Sequence, residues 1–153
     1  MLENVGVHEK GEISVQHLID FIKSNRRFSE VGAVACFLGF MRGYTSEGEQ
    51  VAELELEAYK EPAEEALKKI AEDIKIRPGI VDAVVHHVTG ELNIGDLIMV
   101  AMVAGRSRKD VFPALVEMTE RVKREAPIWK RETLATGGSY WVGENEKAQK
   151  RAA

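Results

Sequence analysis

An uninterrupted apolar run, Leu97 to Ala104, constrains the fold of this chain more than any other feature. The run is far too short to cross a bilayer, which needs about 20 apolar residues in a helix. It has the length of a β-strand, and a strand without polar positions is covered on both faces. We therefore expect this strand at the centre of a sheet that carries other elements on both sides.

The segments around this run have the periodicities of a mixed fold. Between residues 51 and 59, Leu54, Leu56 and Ala58 alternate with glutamates, which indicates a strand with one dry face. Residues 108–125 predict a long helix, which Pro127 prevents from continuing. Its predicted inner face consists of Val111, Phe112, Leu115, Met118 and Val122. Further strands are expected at 5–9, 31–41, 80–89, 128–133 and 139–142, with helices starting at Ser14 and Pro62 and a turn region at 90–96. The predicted class is α+β, with three helices against a mixed or antiparallel sheet.

Length and charge narrow the possible functions. The 153 residues fit one domain, expected over 1–143, followed by a charged tail at 144–153. A net charge of −4 disfavours a nucleic-acid binder, whose affinity comes largely from neutralising phosphates. The N-terminus lacks the pattern of a signal peptide, and Cys36 is the lone cysteine, so we expect a cytoplasmic protein without disulfides or a membrane span. Its apolar neighbours predict that Cys36 is a small core residue.

Metal ligands are scarce in the sequence. His86 and His87 are adjacent in a predicted strand, so their side chains point to opposite faces and cannot share an ion. We expect one of them at the surface and the other packed in the interior. The sequence therefore predicts neither a metal site nor a bound cofactor.

The remaining candidates for chemistry are scattered cations. Arg42 follows a strand, and Arg108 lies at the start of the long helix, whose free N–H groups favour anions. Lys123 in the last turn of that helix and Lys130 beyond the Pro127 corner are spaced so that both ammonium groups can enter one cleft. Physical reasoning leaves an alternative equally open, in which Lys123 satisfies the helix dipole and Lys130 protects a strand edge.

Several segments resemble one known family in their order and spacing. They are Gly32 to Val34, Phe37 to Arg42, Leu54 to Tyr59, His86 to Leu92 with Gly95-Asp96, and above all the stretch Lys123 to Glu132, which contains A-P-I-W-K-R-E. Over roughly residues 30–143 the chain resembles the large, catalytic subunit of molybdopterin synthase. The resemblance implies an α/β-hammerhead core with a small antiparallel β subdomain.

The resemblance also implies an activity and partners. Members of this family form a homodimer that binds two copies of a small ubiquitin-like carrier subunit, giving a heterotetramer. The carrier's C-terminal Gly-Gly thiocarboxylate enters the large subunit, and two sulfur transfers convert cyclic pyranopterin monophosphate into the molybdopterin dithiolene. No cofactor, nucleic acid or membrane is implied.

Carried over by position, the family's substrate-contacting residues match Phe40, Met41, Arg42, Ser107, Arg108, Lys123, Lys130, Arg131 and Glu132. We expect Lys123 to be the central catalytic residue, which holds the thiocarboxylate anion or relays a proton, and Lys130 to assist it. Arg42 and Arg108 suit the substrate's phosphate and pterin oxygens, and Glu132 is expected to orient a lysine.

Two positions depart from the family pattern. Many members have histidine where this chain has Ser107, and many bacterial members have lysine where it has Phe40. These departures bear on which substrate is used. A different class of function, a non-catalytic dimeric module that binds a phosphorylated ligand or a carrier-protein tail, is the main alternative. Retention of both Lys123 and Lys130 favours the enzyme, because binding alone needs only diffuse positive charge.

Overall fold

A computed structural model describes residues 3–142; the predicted tail at 144–153 lies outside the described residues. The described part has three α-helices and seven strands, which confirms the α+β class. The elements in chain order are β1 Val5–Glu9, α1 Val15–Lys23, a short 3₁₀ turn Phe28–Glu30, β2 Ala33–Phe40, β3 Val51–Ala58, α2 Lys60–Lys75, β4 Ile80–Leu92, β5 Leu97–Gly105, α3 Arg108–Glu125, β6 Ile128–Leu134 and β7 Ser139–Val142.

The apolar run forms β5, and its predicted central position is confirmed. The strands follow the order β2-β5-β4-β3-β6-β7, and β1 pairs with β4. The β1–β4 pair is parallel and the others are antiparallel, so the sheet is mixed. Since β5 has a neighbour on each side, its backbone groups are satisfied within the sheet and its side chains are free to pack above and below it.

Helices cover both faces of β4 and β5. Val85, Ala101 and Val103 face α2 and α3, whereas Val84, Val100 and Met102 pack against α1. The side chain of Ser14 caps α1 by accepting a hydrogen bond from the backbone N–H of His17, as its position before the apolar stripe predicts. The two faces therefore carry separate clusters, and the periodicity of 2 along β5 assigns alternate residues to each.

A third cluster joins β3 and β6 to the main sheet. It contains Met41, Val51, Leu54, Leu56, Val88 and Leu92. The predicted end of β4 at residue 89 is wrong, because the strand continues to Leu92 and pairs with β3, placing Leu92 opposite Leu54. Gly90 has a φ of 106°, a value that glycine adopts without strain, so the strand continues through a position that reads as a turn in sequence.

Two predicted core positions are exposed. On α3 the buried stripe is Val111, Ala114, Met118 and Val122, and Phe112, predicted to face inward, is 58% exposed. Phe112 lies one residue, and thus about 100° of helix rotation, away from Val111. Cys36 was also expected in the core and is exposed, because β2 is the edge strand of the sheet order.

Within the described residues, no helix is both long enough and apolar enough to cross a membrane.

Candidate functional site

A pocket of about 370 Å³ opens where the C-terminal turns of α3 meet the ends of β2 and β6. Lys123 and Lys130 both line it, so the corner between α3 and β6 does bring the two lysines to one cavity. The other lining residues are Phe37, Gly39, Phe40, Leu56, His87, Ile98, Met99, Thr119, Glu120, Val122, Ile128 and Val142. The lining is largely apolar with a few polar groups, as in most small-molecule sites.

The corner that aims the lysines has a local cause. The helix ends when Ala126 turns to an extended conformation (φ −75°, ψ 130°), while its N–H still donates to the Val122 carbonyl at 3.1 Å. Pro127 follows, and the residue before a proline favours the extended region. The chain then enters β6, where Lys130 lies opposite Leu56 of β3. The short connection fixes the positions of Lys123 and Lys130 relative to α3, β6 and β3.

The two lysines have different surroundings. Lys123 is exposed, whereas Lys130 is half-buried. Burial lowers the pKa of Lys130 from its ordinary value of 10.5, and the positive charges of Lys123 and Arg42 lower it further, while Glu132 acts in the opposite direction. Of the two lysines, Lys130 at the inner end of the pair is thus the desolvated cation.

A smaller cavity of about 150 Å³ adjoins the pocket and shares Phe40, Ile98 and Lys130 with it. Arg42 and Glu132 line this cavity as well. Arg42 donates to the Ser46 hydroxyl at 3.1 Å. The remaining lining residues are Met41, Val51 and Leu54.

Met41 and Glu132 are held in place by neighbours. Met41 is buried, and its backbone N–H donates to the Asp96 carbonyl at 2.8 Å. The Tyr140 hydroxyl donates to the Glu132 carboxylate at 2.9 Å. Burial and this hydrogen bond raise the pKa of Tyr140 to about 12, so Tyr140 remains a donor at neutral pH. Five of the predicted substrate contacts, Phe40, Met41, Arg42, Lys130 and Glu132, therefore lie around one small cavity.

Arg131 is separated from this group by the alternation of β6. Its guanidinium pairs with Glu55 and lies 5.8 Å from the ring centroid of Trp141. Neighbouring residues on a strand point to opposite faces, and Lys130 and Glu132 occupy the cavity side. The structure therefore places Arg131 on the other face of the sheet within the same chain.

Ser107 and Arg108 lie at the far end of α3. Ser107 is the N-cap residue; its carbonyl accepts from the Asp110 N–H at 3.0 Å, and its hydroxyl donates to the Asp110 carboxylate at 3.0 Å. Fifteen residues separate Arg108 from Lys123 on the helix. At about 1.5 Å per residue their Cα atoms are roughly 22 Å apart. Within one chain, neither Ser107 nor Arg108 therefore reaches the pocket lined by Lys123 and Lys130 (the two-lysine pocket).

Three polar residues of the pocket were not predicted from the sequence. Thr119 and Glu120 precede Lys123 by four and three residues, so they lie on the same face of α3 as Lys123. This helical spacing is the sequence signal that could have identified them. His87 comes from β4, and nothing in the sequence pattern links that strand to the lysines. The expectation that one histidine of the His86–His87 pair is at the surface is wrong, because both are buried.

Across residues 3–142, no group of three or more His, Cys, Asp or Glu side chains is arranged to hold a metal ion.

A comparison with protein families decides where this chain belongs. The family described as MoaE protein matches residues 8–125, which include α3 and Lys123. The chain belongs to the MoaE protein family. This membership agrees with the resemblance seen in the sequence motifs.

Known members of the MoaE family are similar over most of this chain. The molybdopterin synthase catalytic subunit of Pyrococcus abyssi is 30% identical over 136 residues, which cover 89% of this chain and 88% of that protein. The crystal structure of molybdopterin synthase from Staphylococcus aureus superposes with a TM-score of 0.80 at 31% identity, covering 94% of this chain and 99% of that one.

A more distant structure shares the fold. A complex of subunits 1 and 2 of molybdopterin-converting factor from Helicobacter pylori contains a chain that matches with a TM-score of 0.70 at 18% identity, covering 95% of this chain and 92% of that one. The MoaE fold is thus retained at low sequence identity.

Proposed function

We propose that this MoaE-family chain is the catalytic subunit of a molybdopterin synthase. In this role it transfers sulfur from the C-terminal thiocarboxylate of a small carrier subunit to cyclic pyranopterin monophosphate, in the cytoplasm. The observation that carries the proposal is the pocket shared by Lys123 and Lys130, in a chain whose relatives are named molybdopterin synthase catalytic subunits.

The pocket suits two anionic reactants. Lys123 is exposed at the pocket and is available to an incoming carrier tail, whose thiocarboxylate is negatively charged. Lys130 and Arg42 line the adjoining cavity and offer positive charge to the phosphate of the pterin. Because the pKa of Lys130 is lowered by burial, this amine loses a proton more readily than a surface lysine does. We assign Lys123 to the sulfur donor and Lys130 to proton transfer and substrate binding.

A second copy of the chain has a suitable surface to dock on. One edge of β2 has no strand partner in the described sheet, and apolar side chains are exposed on both sides of this strand. They are Val34 and Leu38 on one side, Phe37 with Phe112 and Val116 of α3 on the other, and Phe40 at the pocket end of the strand. Exposed apolar groups concentrated at an open strand edge favour association. We propose a homodimer formed along β2, to which two carrier subunits add to give a heterotetramer.

Such a dimer also provides a role for Arg108. In a two-fold interface the same patch meets itself, and we place the axis perpendicular to β2, so that the strand and its symmetry mate run in opposite directions. The start of β2 lies beside Gly105, just before α3, and its end lies at the pocket. Reversal of the strand therefore brings the N-terminus of the partner's α3 toward the two-lysine pocket. We propose that each site takes Arg108 and Ser107 from the second chain.

The reaction itself is the test of this function. The protein is mixed with thiocarboxylated carrier and cyclic pyranopterin monophosphate, and the dithiolene product is measured in a single turnover. We expect product with the wild type, and a loss of about 100-fold or more in Lys123→Ala, since one positioned group that stabilises an anion contributes about this much. Lys69→Ala, which removes an exposed lysine of α2 outside the pocket, is the control and should keep the wild-type rate.

Two results would contradict the proposal in different ways. Wild-type protein that binds the carrier but forms no dithiolene is a non-catalytic binding module. Full single-turnover rate in Lys123→Ala would leave the family assignment intact and remove the role given to this lysine.

A further inference from the structure

A third polar group, His87 of β4, lines the two-lysine pocket from the inside. The side chain is 8% exposed and shares the cavity with Lys123, Lys130 and Glu120. Histidine side chains are seldom this deeply buried. The ring atom that faces the pocket therefore determines what His87 can bind.

The hydrogen bonding of the ring fixes where its proton lies. The Nδ1 atom of His87 is 2.8 Å from the carbonyl oxygen of Val88. A carbonyl only accepts, so Nδ1 carries the hydrogen and donates it. The neutral ring then has its lone pair on Nε2. Among residues 3–142, no side chain or backbone group is found hydrogen-bonded to Nε2, which leaves this acceptor to the pocket.

The surroundings keep this imidazole neutral. Burial, and to a smaller extent the nearby positive charge of Lys130, lower the pKa of His87 to about 4 against the opposing effect of the hydrogen bond to Val88. At neutral pH, His87 is thus an uncharged acceptor beside cations. It complements the lysines, because it offers no attraction to a phosphate or carboxylate oxygen but accepts from an N–H or O–H group.

We propose that His87 is a substrate-positioning residue, whose Nε2 accepts a hydrogen bond from an N–H or O–H of the same small molecule whose anionic group is held by Lys130 and Arg42. This inference rests on the proposed function. It specifies which groups of the substrate the pocket recognises: a heterocyclic hydrogen-bond donor, such as a ring or exocyclic N–H of a pterin, at one end and an anion at the other. The two kinds of protein group orient the ligand, since exchanging its ends would place an anion against a lone pair and a donor against cations.

Binding of the pterin substrate in the absence of carrier tests this role separately from catalysis. We compare the dissociation constant of cyclic pyranopterin monophosphate for the wild type, His87→Phe and His87→Gln. His87→Phe keeps a ring but loses the acceptor, and we expect binding about 10-fold weaker, the usual effect of leaving one buried donor unsatisfied. His87→Gln offers a carbonyl oxygen and should recover part of the loss.

The adjacent histidine is the matched control. His86 is also buried and its pKa is also lowered to about 4, but its ring contacts His8 at 2.7 Å and the Glu3 carbonyl at 3.0 Å rather than the pocket. His86→Phe should bind the pterin within about 2-fold of wild type, as expected of a change that removes no ligand contact. Equal weakening in both variants would show that any buried histidine of β4 matters only for the fold, and would overturn the proposal.

Nitrogen NMR of the imidazole-labelled wild type gives a result that does not depend on any variant's folding. We expect the neutral form with the hydrogen on Nδ1 at pH 7, and a shift of the Nε2 resonance when the pterin is added. An Nε2 that carries the hydrogen, or that does not respond to saturating pterin, would overturn the proposal.

Catalysis separates this inference from the proposed function. We expect His87→Phe to raise the KM for the pterin about 10-fold while the saturated single-turnover rate stays within about 3-fold, because a lost binding contact acts on KM. Wild type that binds pterin through His87 but makes no dithiolene would refute the proposed function alone. Normal product formation with an unchanged KM in His87→Phe would refute the positioning role alone.

Discussion

A mixture of two inactive variants should regain activity if each site is built from two chains. The variants are Arg108→Ala and Lys123→Ala, each prepared as a dimer and then mixed under conditions that let the chains exchange. Roughly 22 Å of helix separates these residues within one chain. A hydrogen bond spans only about 3 Å, so an arginine at the start of α3 cannot serve the lysine at its end.

The expected recovery follows from counting sites. After random exchange about half of the dimers are mixed, and each contains one site with both residues intact and one with neither. The mixture should therefore reach about one quarter of the wild-type rate in the dithiolene assay, starting from parents that have little or none.

A second mixture serves as the control. Lys123→Ala and Lys130→Ala remove residues of the same pocket, so no arrangement of these chains contains a complete site. This mixture should stay inactive. If the Arg108→Ala and Lys123→Ala mixture also stays inactive, although exchange is complete and the carrier binds, the two-chain site is refuted.

Three further predictions concern stability, measured by denaturant unfolding. Lys130→Met should lose activity yet unfold at higher denaturant than wild type at pH 7. The folded-state pKa of Lys130 lies below its ordinary 10.5, so its ammonium costs stability at neutral pH, and the advantage of the variant should vanish as the pH rises toward that value. Met118→Ala should cost about 2–5 kcal/mol, because Met118 is fully buried between α3 and the sheet. Gly105→Ala should lower the free energy of unfolding by about 1–3 kcal/mol, because a Cβ at this position would lie 2.5 Å from the Gly79 carbonyl oxygen. Gly138→Ala is the control: a Cβ at that position meets open space, so the free energy of unfolding should change by less than about 0.5 kcal/mol. Reversed order between the two glycine variants would contradict the packing argument.

Much of the fold was predictable because its signals are local. The apolar run of β5, the alternation of β3 and the proline after α3 each act within a few residues, and all three gave the observed elements. The errors arose where a pattern depends on distant neighbours. Cys36 and Phe112 are apolar and sit in regular elements, but whether such residues are buried depends on what lies across from them.

The histidine pair shows the same limit at the site. Adjacent positions on a strand predict opposite faces, and His86 and His87 do lie in different surroundings. Which face meets the pocket depends on β4 passing beneath the corner of α3 and β6, a long-range arrangement that no local period encodes. The pocket's neutral acceptor was therefore not predicted, although its residue was noticed.

The sequence by itself determined the α+β class and the corner at Pro127, because a helix end, a proline and a strand start restrict the backbone locally. It allowed Lys123 and Lys130 to converge, and the tertiary structure places both in one pocket. Only the tertiary structure decided which lysine is desolvated, that Arg131 faces away and that Arg108 lies at the opposite end of α3. The burial of a side chain and its distance from the pocket depend on contacts between elements that are far apart in sequence, so only the packed structure defines them.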